Sequence, residues 1–380
     1  MNQPKENKLK IFFDSTIFDL QIFGGVSRYF AELIGTGLRK NLFKPLFRLT
    51  ISNNEYAKAS GLTSIKSNLH QVKFKGFKRL SWKLNEFINS FYTNRRLRKG
   101  DFDIYHPTYY SKKSVEYAAK YKTVLTVYDM IHEKFPDLFS DSSQVIGIKE
   151  QLIFKSSAII AISENTKRDI LMFYPQIDPQ KIAVTYLASS IGTYDSMKVA
   201  LPFKKFLVFV GNRDGYKNFM PMLEAMLISF QNHESIGLIC VGGGAFKENE
   251  QAFLQKENLS ERIIQKNLSD SELKWIYSNA VALIFPSEYE GFGIPVIEAF
   301  ECGCPVILPH LSSFPEIGGD AGLFYEKSQL NRINFYVDQL LSNDEYKKDV
   351  IEKCIRQAAN FSWEKMTIET LQVYKSITSV

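Results

Sequence analysis

Phe285-Pro286-Ser287-Glu288-Tyr289-Glu290-Gly291-Phe292-Gly293-Ile294-Pro295-Val296-Ile297-Glu298-Ala299 is the stretch that decides the fold. The apolar run Val281–Phe285 before it reads as a strand. The glycines let the backbone turn sharply and come close to a ligand. Pro295 suits the first turn of a helix, predicted over Pro295–Glu301. Strand, glycine turn and helix together place the N–H groups of Phe292, Gly293 and Ile294 at a helix N-terminus, where the dipole favours an anion. In open parallel sheets, ligands bind outside the carboxyl ends of the strands, where this turn lies. Glu290 and Glu298 flank the turn. Carboxylates hydrogen-bond vicinal hydroxyls, so the pair suits a ribose and a sugar. The plain alternative is a tight loop with a helix cap and two surface glutamates. An anion site does not call for further carboxylates unless they bind hydroxyls.

The same alternation extends in both directions. Lys10–Asp14 reads as a strand, followed by a glycine loop at Gly24-Gly25 and a helix over Val26–Arg39. Ile104–His106, Thr123–Tyr128 and Ala158–Ile162 read as further strands, and Ser163 caps a helix Glu164–Phe173. The pattern restarts with a strand Phe206–Val210, a helix Met220–Phe230 and a strand Gly237–Val241. Ile263–Ile264 and Pro305–Leu308 complete the strands. Ser269 and Glu272 have capping-box spacing. Continuous apolar strands joined by helices predict parallel sheets covered on both faces. The chain of 380 residues is too long for one ordinary core. Two α/β units are predicted, over 1–195 and 196–360, with a C-terminal helix over 361–380 packing back on the first.

Composition narrows the function. Hydrophobic residues make up 45% and charged residues 23%, the balance of a folded globular protein. No apolar run reaches the roughly 18–20 residues that span a bilayer, and the polar, lysine-rich start carries no signal-peptide pattern. A cytoplasmic protein is expected. The four cysteines show neither disulfide nor zinc spacing, so reduced thiols are expected and no metal site. The net charge of +6 is mild, but Lys73–Lys99 holds nine basic residues and one acidic residue, interleaved with aromatics. That mixture suits an anionic membrane face. It is equally the solvated face of a helix whose aromatics pack inward. Nucleic acid is not expected, because no nucleic-acid motif accompanies the charge.

Glu290 and Glu298, with seven residues between them that include Gly-Phe-Gly-Ile-Pro, resemble the E-x7-E motif of the retaining family 4 glycosyltransferases (group 1 type). Phe209-Val210-Gly211-Asn212-Arg213-Asp214-Gly215-Tyr216-Lys217-Asn218 resembles that family's basic loop. Ser312–Glu316 and Gly319–Gly322 resemble the segment that follows the motif. Gly24–Tyr29 is similar to the N-terminal glycine loop, and Ala161–Thr166 to another marker. The resemblance implies the GT-B fold, two Rossmann-like domains facing across a cleft. It implies a nucleotide-diphosphate sugar as donor, with no cofactor and no divalent metal. Residue by residue, it implies that Glu298 binds the ribose and that Glu290 holds the transferred sugar with the backbone of Phe292–Ile294. Arg213 and Lys217 would neutralise the diphosphate beside Gly211. Gly24 and Gly25 would let the first domain approach the phosphate or the acceptor.

The family's usual His-Asp is Tyr128-Asp129 here. His106, Tyr128 and Asp129 are therefore the acceptor-side candidates, with His132 as a substitute imidazole. A packed turn residue is the plainer reading of His106. The Gly242-Gly243-Gly244 run lacks dinucleotide spacing and reads as a turn lining the nucleotide pocket. The expected activity is transfer of a hexose, with GDP-mannose a plausible donor, to a glycan or lipid-linked acceptor of a surface polysaccharide such as lipopolysaccharide. Membrane contact would run through Lys73–Lys99. The alternative is a non-catalytic sugar-nucleotide-binding subunit of an assembly complex, which loss of Glu290 or Lys217 would have suggested.

Overall fold

The computed structural model describes residues 8–50, 52–63, 77–213 and 215–378, with backbone alone for 77–87. The part of the basic stretch over 73–87 therefore lies outside the described side chains. The chain divides into one unit of Met1–Leu187 with Trp363–Val380 and a second of Ala188–Ser362.

Among the described residues, the first unit is built on six parallel strands: β1 (Lys10–Phe13), β2 (Lys44–Leu46), β3 (Ile104–His106), β4 (Val124–Val127), β5 (Ala158–Ala161) and β6 (Ile182–Val184). They pair in the orders β2-β1-β3 and β4-β5-β6, and a bridge between Tyr105 and Thr123 joins the two sets. Every residue of β3, β4 and β5 is buried, as parallel strands between helical layers must be. Helix α1 (Gly25–Arg39) buries Tyr29, Leu33 and Gly37 together with Phe30 and Ile34, a stripe at three- and four-residue spacing. Helix α2 (Phe77–Lys99) carries the basic stretch. Helix α3 (Glu164–Phe173) starts where Ser163 accepts the Thr166 N–H.

The second unit has one six-stranded parallel sheet in the order β12-β11-β10-β7-β8-β9. Its strands are β7 (Lys205–Val210), β8 (Ile236–Val241), β9 (Ile263–Lys266), β10 (Leu283–Ile284), β11 (Val306–Pro309) and β12 (Gly322–Tyr325). The order reverses between β7 and β10, which makes their carboxyl ends the switch point of the sheet. The predicted helix Met220–Phe230 is two helices, α4 (Phe219–Ala225) and α5 (Leu227–Asn232), meeting at Met226. Helices α6 (Glu248–Lys256), α7 (Asp270–Asn279) and α8 (Ile294–Glu301) follow β8, β9 and β10. The capping box at α7 is formed, with Ser269 and Glu272 bonded reciprocally.

The final helix α9 (Trp363–Thr378) packs in the first unit, against α1. Its Tyr374 is fully buried, meets Phe43 edge-on and reaches His106.

Candidate functional site

The crest of β7 and β10 in the second unit holds the predicted donor residues. Lys217 forms an ion pair with Glu290, and their side chains are only 14% and 16% exposed. The Lys217 ammonium also lies 5.1 Å from the centre of the Tyr216 ring and 5.6 Å from that of Phe285. Burial alone would lower its pKa, but the Glu290 carboxylate outweighs it and the value stands above that of ordinary lysine. Lys217 therefore carries its charge at neutral pH.

Glu290 is held from the backbone as well. Its N–H donates to the Ser312 hydroxyl at 3.1 Å, while the Ser312 and Ser313 hydroxyls donate to its carbonyl at 2.7 and 3.0 Å. Ser313 also donates to the Phe292 carbonyl at 2.9 Å. Gly293 then turns the chain into α8 with φ 99° and ψ 54°, a conformation that a side chain resists. Ile294 and Pro295 open the helix, so the turn sits at a helix N-terminus as the sequence predicts. Glu298 lies within α8, 6% exposed. Burial, and next its carboxylate, push the neighbouring Tyr277 phenol well above the ordinary tyrosine range.

Arg213 has a different setting from the one its resemblance implies. Its side chain is 1% exposed and its Nε donates to both Glu250 oxygens at 3.1 Å. The remaining nitrogens donate to the carbonyls of Gly242, Gly243, Gly244 and Ala245 at 2.7–3.4 Å. Arg213 thus fastens the triple-glycine turn to α6 instead of facing outward beside Lys217. Gly243 must be glycine for this, since its φ is 70° and a Cβ would stand 2.7 Å from the Arg213 Nη1. Gly211, with φ 125°, ends β7 beside this turn.

The first unit places its candidates less favourably. His106 is fully buried, with Nδ1 2.6 Å from the Tyr374 hydroxyl and Nε2 2.8 Å from that of Thr126. Desolvation pushes its pKa down to about 3. It is a neutral core residue, which removes it from the acceptor-side candidates. Tyr128 is 7% exposed, edge-on to Tyr29, and burial holds its phenol well above the ordinary range. Its packing makes it a core residue as well. Asp129 accepts the Ile131 N–H at 3.1 Å, and its carbonyl takes a hydrogen bond from the buried Lys149. His132 packs against Phe139 with the rings tilted by 40° and sits 4.0 Å from Asp141. Gly24 is extended at φ 165°, a conformation open to any residue, and caps α1. The absence of a Cβ there makes room for the Gln21 side chain, which accepts the Ser27 N–H. Gly25 is the first residue of that helix.

Sequence reasoning missed Glu250, the partner of Arg213, and the grip of Ser312 and Ser313 on the glutamate turn. Glu250 lies 37 residues from Arg213 and no spacing connects the two. Ser312 and Ser313 do stand in a stretch marked by resemblance alone. All four cysteines are free thiols, and Cys240, Cys304 and Cys354 are buried.

Residues 197–357 match the model of the family Glycosyl transferases group 1. The chain is 26% identical over 288 residues to O-antigen chain mannosyltransferase B of Escherichia coli, covering 72% of this chain and 74% of that protein. It is 26% identical over 246 residues to O-antigen chain mannosyltransferase RfbU of Salmonella typhimurium, covering 64% and 66%. Among solved structures it resembles sucrose-phosphate synthase from Thermosynechococcus elongatus, with a TM-score of 0.71 at 16% identity over 98% of this chain and all of that one. The Anabaena HepE structure with UDP and glucose also gives a TM-score of 0.71, at 14% identity and the same coverage. The match to the group 1 glycosyl transferases thus lies within the second unit, and along its length the chain has the GT-B fold.

Proposed function

We propose that this glycosyltransferase moves a hexose from a nucleoside-diphosphate sugar to a glycan or lipid-linked acceptor in surface-polysaccharide assembly, with retention of configuration and no divalent metal or cofactor. The observation that carries the proposal is the Lys217–Glu290 pair beside the N-terminus of α8. A diphosphate entering here meets one buried ammonium and the positive end of a helix dipole, fixed charge aimed at a leaving group. Lys217 turns from Glu290 to the phosphate, and the freed carboxylate takes hydroxyls of the sugar. Glu298 binds the ribose. The bond from the anomeric carbon to the β-phosphate oxygen breaks, and the acceptor oxygen bonds to that carbon on the same face. The acceptor proton passes to the departing phosphate.

GDP-mannose is the proposed donor, supported by the two O-antigen mannosyltransferase relatives. A groove of about 560 Å³ in the first unit supports a place at the inner membrane face; Arg48, Phe91, Tyr92, Arg95, Arg96 and Lys99 line it. Among the described residues, Arg48 and Arg95 form no ion pair, whereas Arg96 and Lys99 share Asp101. Cations beside an exposed phenylalanine suit an anionic lipid surface. No described helix is long and apolar enough to cross a membrane.

The test is a thermal-shift panel of GDP, UDP, ADP and dTDP and their hexose conjugates, with and without EDTA. A ligand that binds only the folded state raises the melting temperature. A shift by GDP and GDP-mannose that survives EDTA, followed by α-linked transfer from that donor, is the expected result. A panel in which no nucleotide shifts the transition would overturn the donor site.

A further inference from the structure

The crest of the second unit's sheet carries another cavity, bounded by the loops after β10, β11 and β12 and by the start of α4. It measures about 220 Å³ and none of the carried-over donor residues lines it. Three polar side chains line it as one connected set. The Lys327 ammonium lies 3.0 Å from Glu288 Oε1, and the Asn218 amide donates to the same oxygen at 3.2 Å. Tyr325 also lines it, is 3% exposed, and its hydroxyl has no hydrogen-bond partner. Burial, and then the Glu288 charge, raise its pKa, so the phenol stays protonated and able to donate. An unpartnered buried hydroxyl is costly, so it marks a place where a ligand atom would complete the structure. Pro309 and Leu311 supply apolar walls.

The chemistry of this lining is selective. The volume is below the roughly 300–1,000 Å³ typical of drug-sized sites, too small for a nucleotide. Glu288 and Lys327 neutralise each other, so the lining carries no net charge to attract an anion. One carboxylate beside an ammonium is no cation site. A neutral ring bearing several hydroxyls fits: the carboxylate accepts, the ammonium and amide donate, and the C–H faces lie on proline and leucine. We propose that this cavity is a subsite for one neutral hexose unit of the glycan being extended, separate from the place of the transferred sugar. The subsite rests on the glycosyltransferase reading and adjoins its machinery. Asn218 follows Lys217 in the chain, and the Glu288 N–H donates to the Tyr216 carbonyl at 2.7 Å. An occupied subsite therefore bears on the backbone that carries Lys217.

The experiment is a titration of the full chain with the methyl α-glycosides of mannose, glucose and galactose, read by saturation-transfer NMR. Wild type is compared with Lys327→Met, Leu311→Trp and Glu290→Gln. One glycoside is expected to bind wild type and Glu290→Gln alike. Lys327→Met should bind it about tenfold more weakly, the effect of losing one hydrogen bond to a charged group, and Leu311→Trp, which fills the cavity, should not bind it. Nucleotide-induced thermal shift, measured on every variant, reports folding and the donor site separately. Should Leu311→Trp fail to fold, Lys327→Met decides. Binding that persists undiminished in the folded cavity variants, that disappears with Glu290→Gln, or that no glycoside shows to wild type would overturn the subsite. A normal nucleotide shift in those cases leaves the donor reading standing.

Discussion

Lys217 and Glu290, 73 residues apart in the chain, neutralise each other at the mouth of helix α8. Each is mostly buried, so removing either leaves its partner with a charge that water screens poorly. Lys217→Ala is expected to cost about 10²–10³-fold in kcat, the effect of removing one charge-stabilising donor. Lys217→Arg should recover part of it. Steady-state kinetics with the donor identified by thermal shift would show this. A loss confined to KM would instead assign Lys217 to ground-state binding.

Arg213 is expected to act on stability. Arg213→Met strands Glu250 in a dry setting and unties four carbonyls, for a loss of about 3–5 kcal/mol. Urea unfolding of Arg213→Met, Glu250→Leu and the double variant should show strong coupling between the two sites. Additive losses, with the main defect in nucleotide affinity, would return Arg213 to the diphosphate.

His106 makes the first unit acid-sensitive. Its folded pKa of about 3 lies below the ordinary value of 6.5, so the unfolded chain takes up the proton first. Its contribution is fully present above pH 6.5 and is lost progressively as pH falls towards 3. Between pH 7 and pH 5 this amounts to about 2 kcal/mol. Unfolding midpoints measured across that range should fall, and the slope should flatten in His106→Asn. An identical slope in both proteins would refute the assignment.

The basic groove should give salt-dependent binding to vesicles containing anionic lipid. Each cation near such a surface contributes about 1 kcal/mol, so Arg48→Glu with Arg95→Glu should weaken sedimentation with vesicles by more than tenfold. Transfer to a soluble acceptor should be unchanged. Vesicle binding that ignores both reversals would move the membrane contact elsewhere.

The parts legible in the sequence are those whose cause is local. The α7 capping box and the Ser163 cap of α3 are formed between neighbours in the chain. The glycine-proline entry to α8 and the buried strands β4, β5 and β8 likewise show in composition. Strand β2 (Lys-Pro-Leu) carries too few apolar residues to register, and β12, although apolar at Leu323, Phe324 and Tyr325, is only four residues long and opens on Gly322. The break at Met226 has no proline or glycine to announce it. Side-chain partnerships over long separations were the least visible. A cation in a loop looks the same whether it meets a ligand or Glu250. A histidine at a strand end stays open between a packed residue and an acceptor-side base until Tyr374, 268 residues later, is brought to it.

That last partnership governs the order in which the protein can be completed during synthesis. Helix α9 belongs to the first unit, yet the whole second unit precedes it in the chain. The ribosome therefore delivers a finished second unit while the first still lacks the helix that covers His106, Phe43 and α1. Until then an apolar surface stands open and the His106 Nδ1 lacks its Tyr374 partner. Genetic dissection at Leu187 would yield a separable second unit and an unfinished first one.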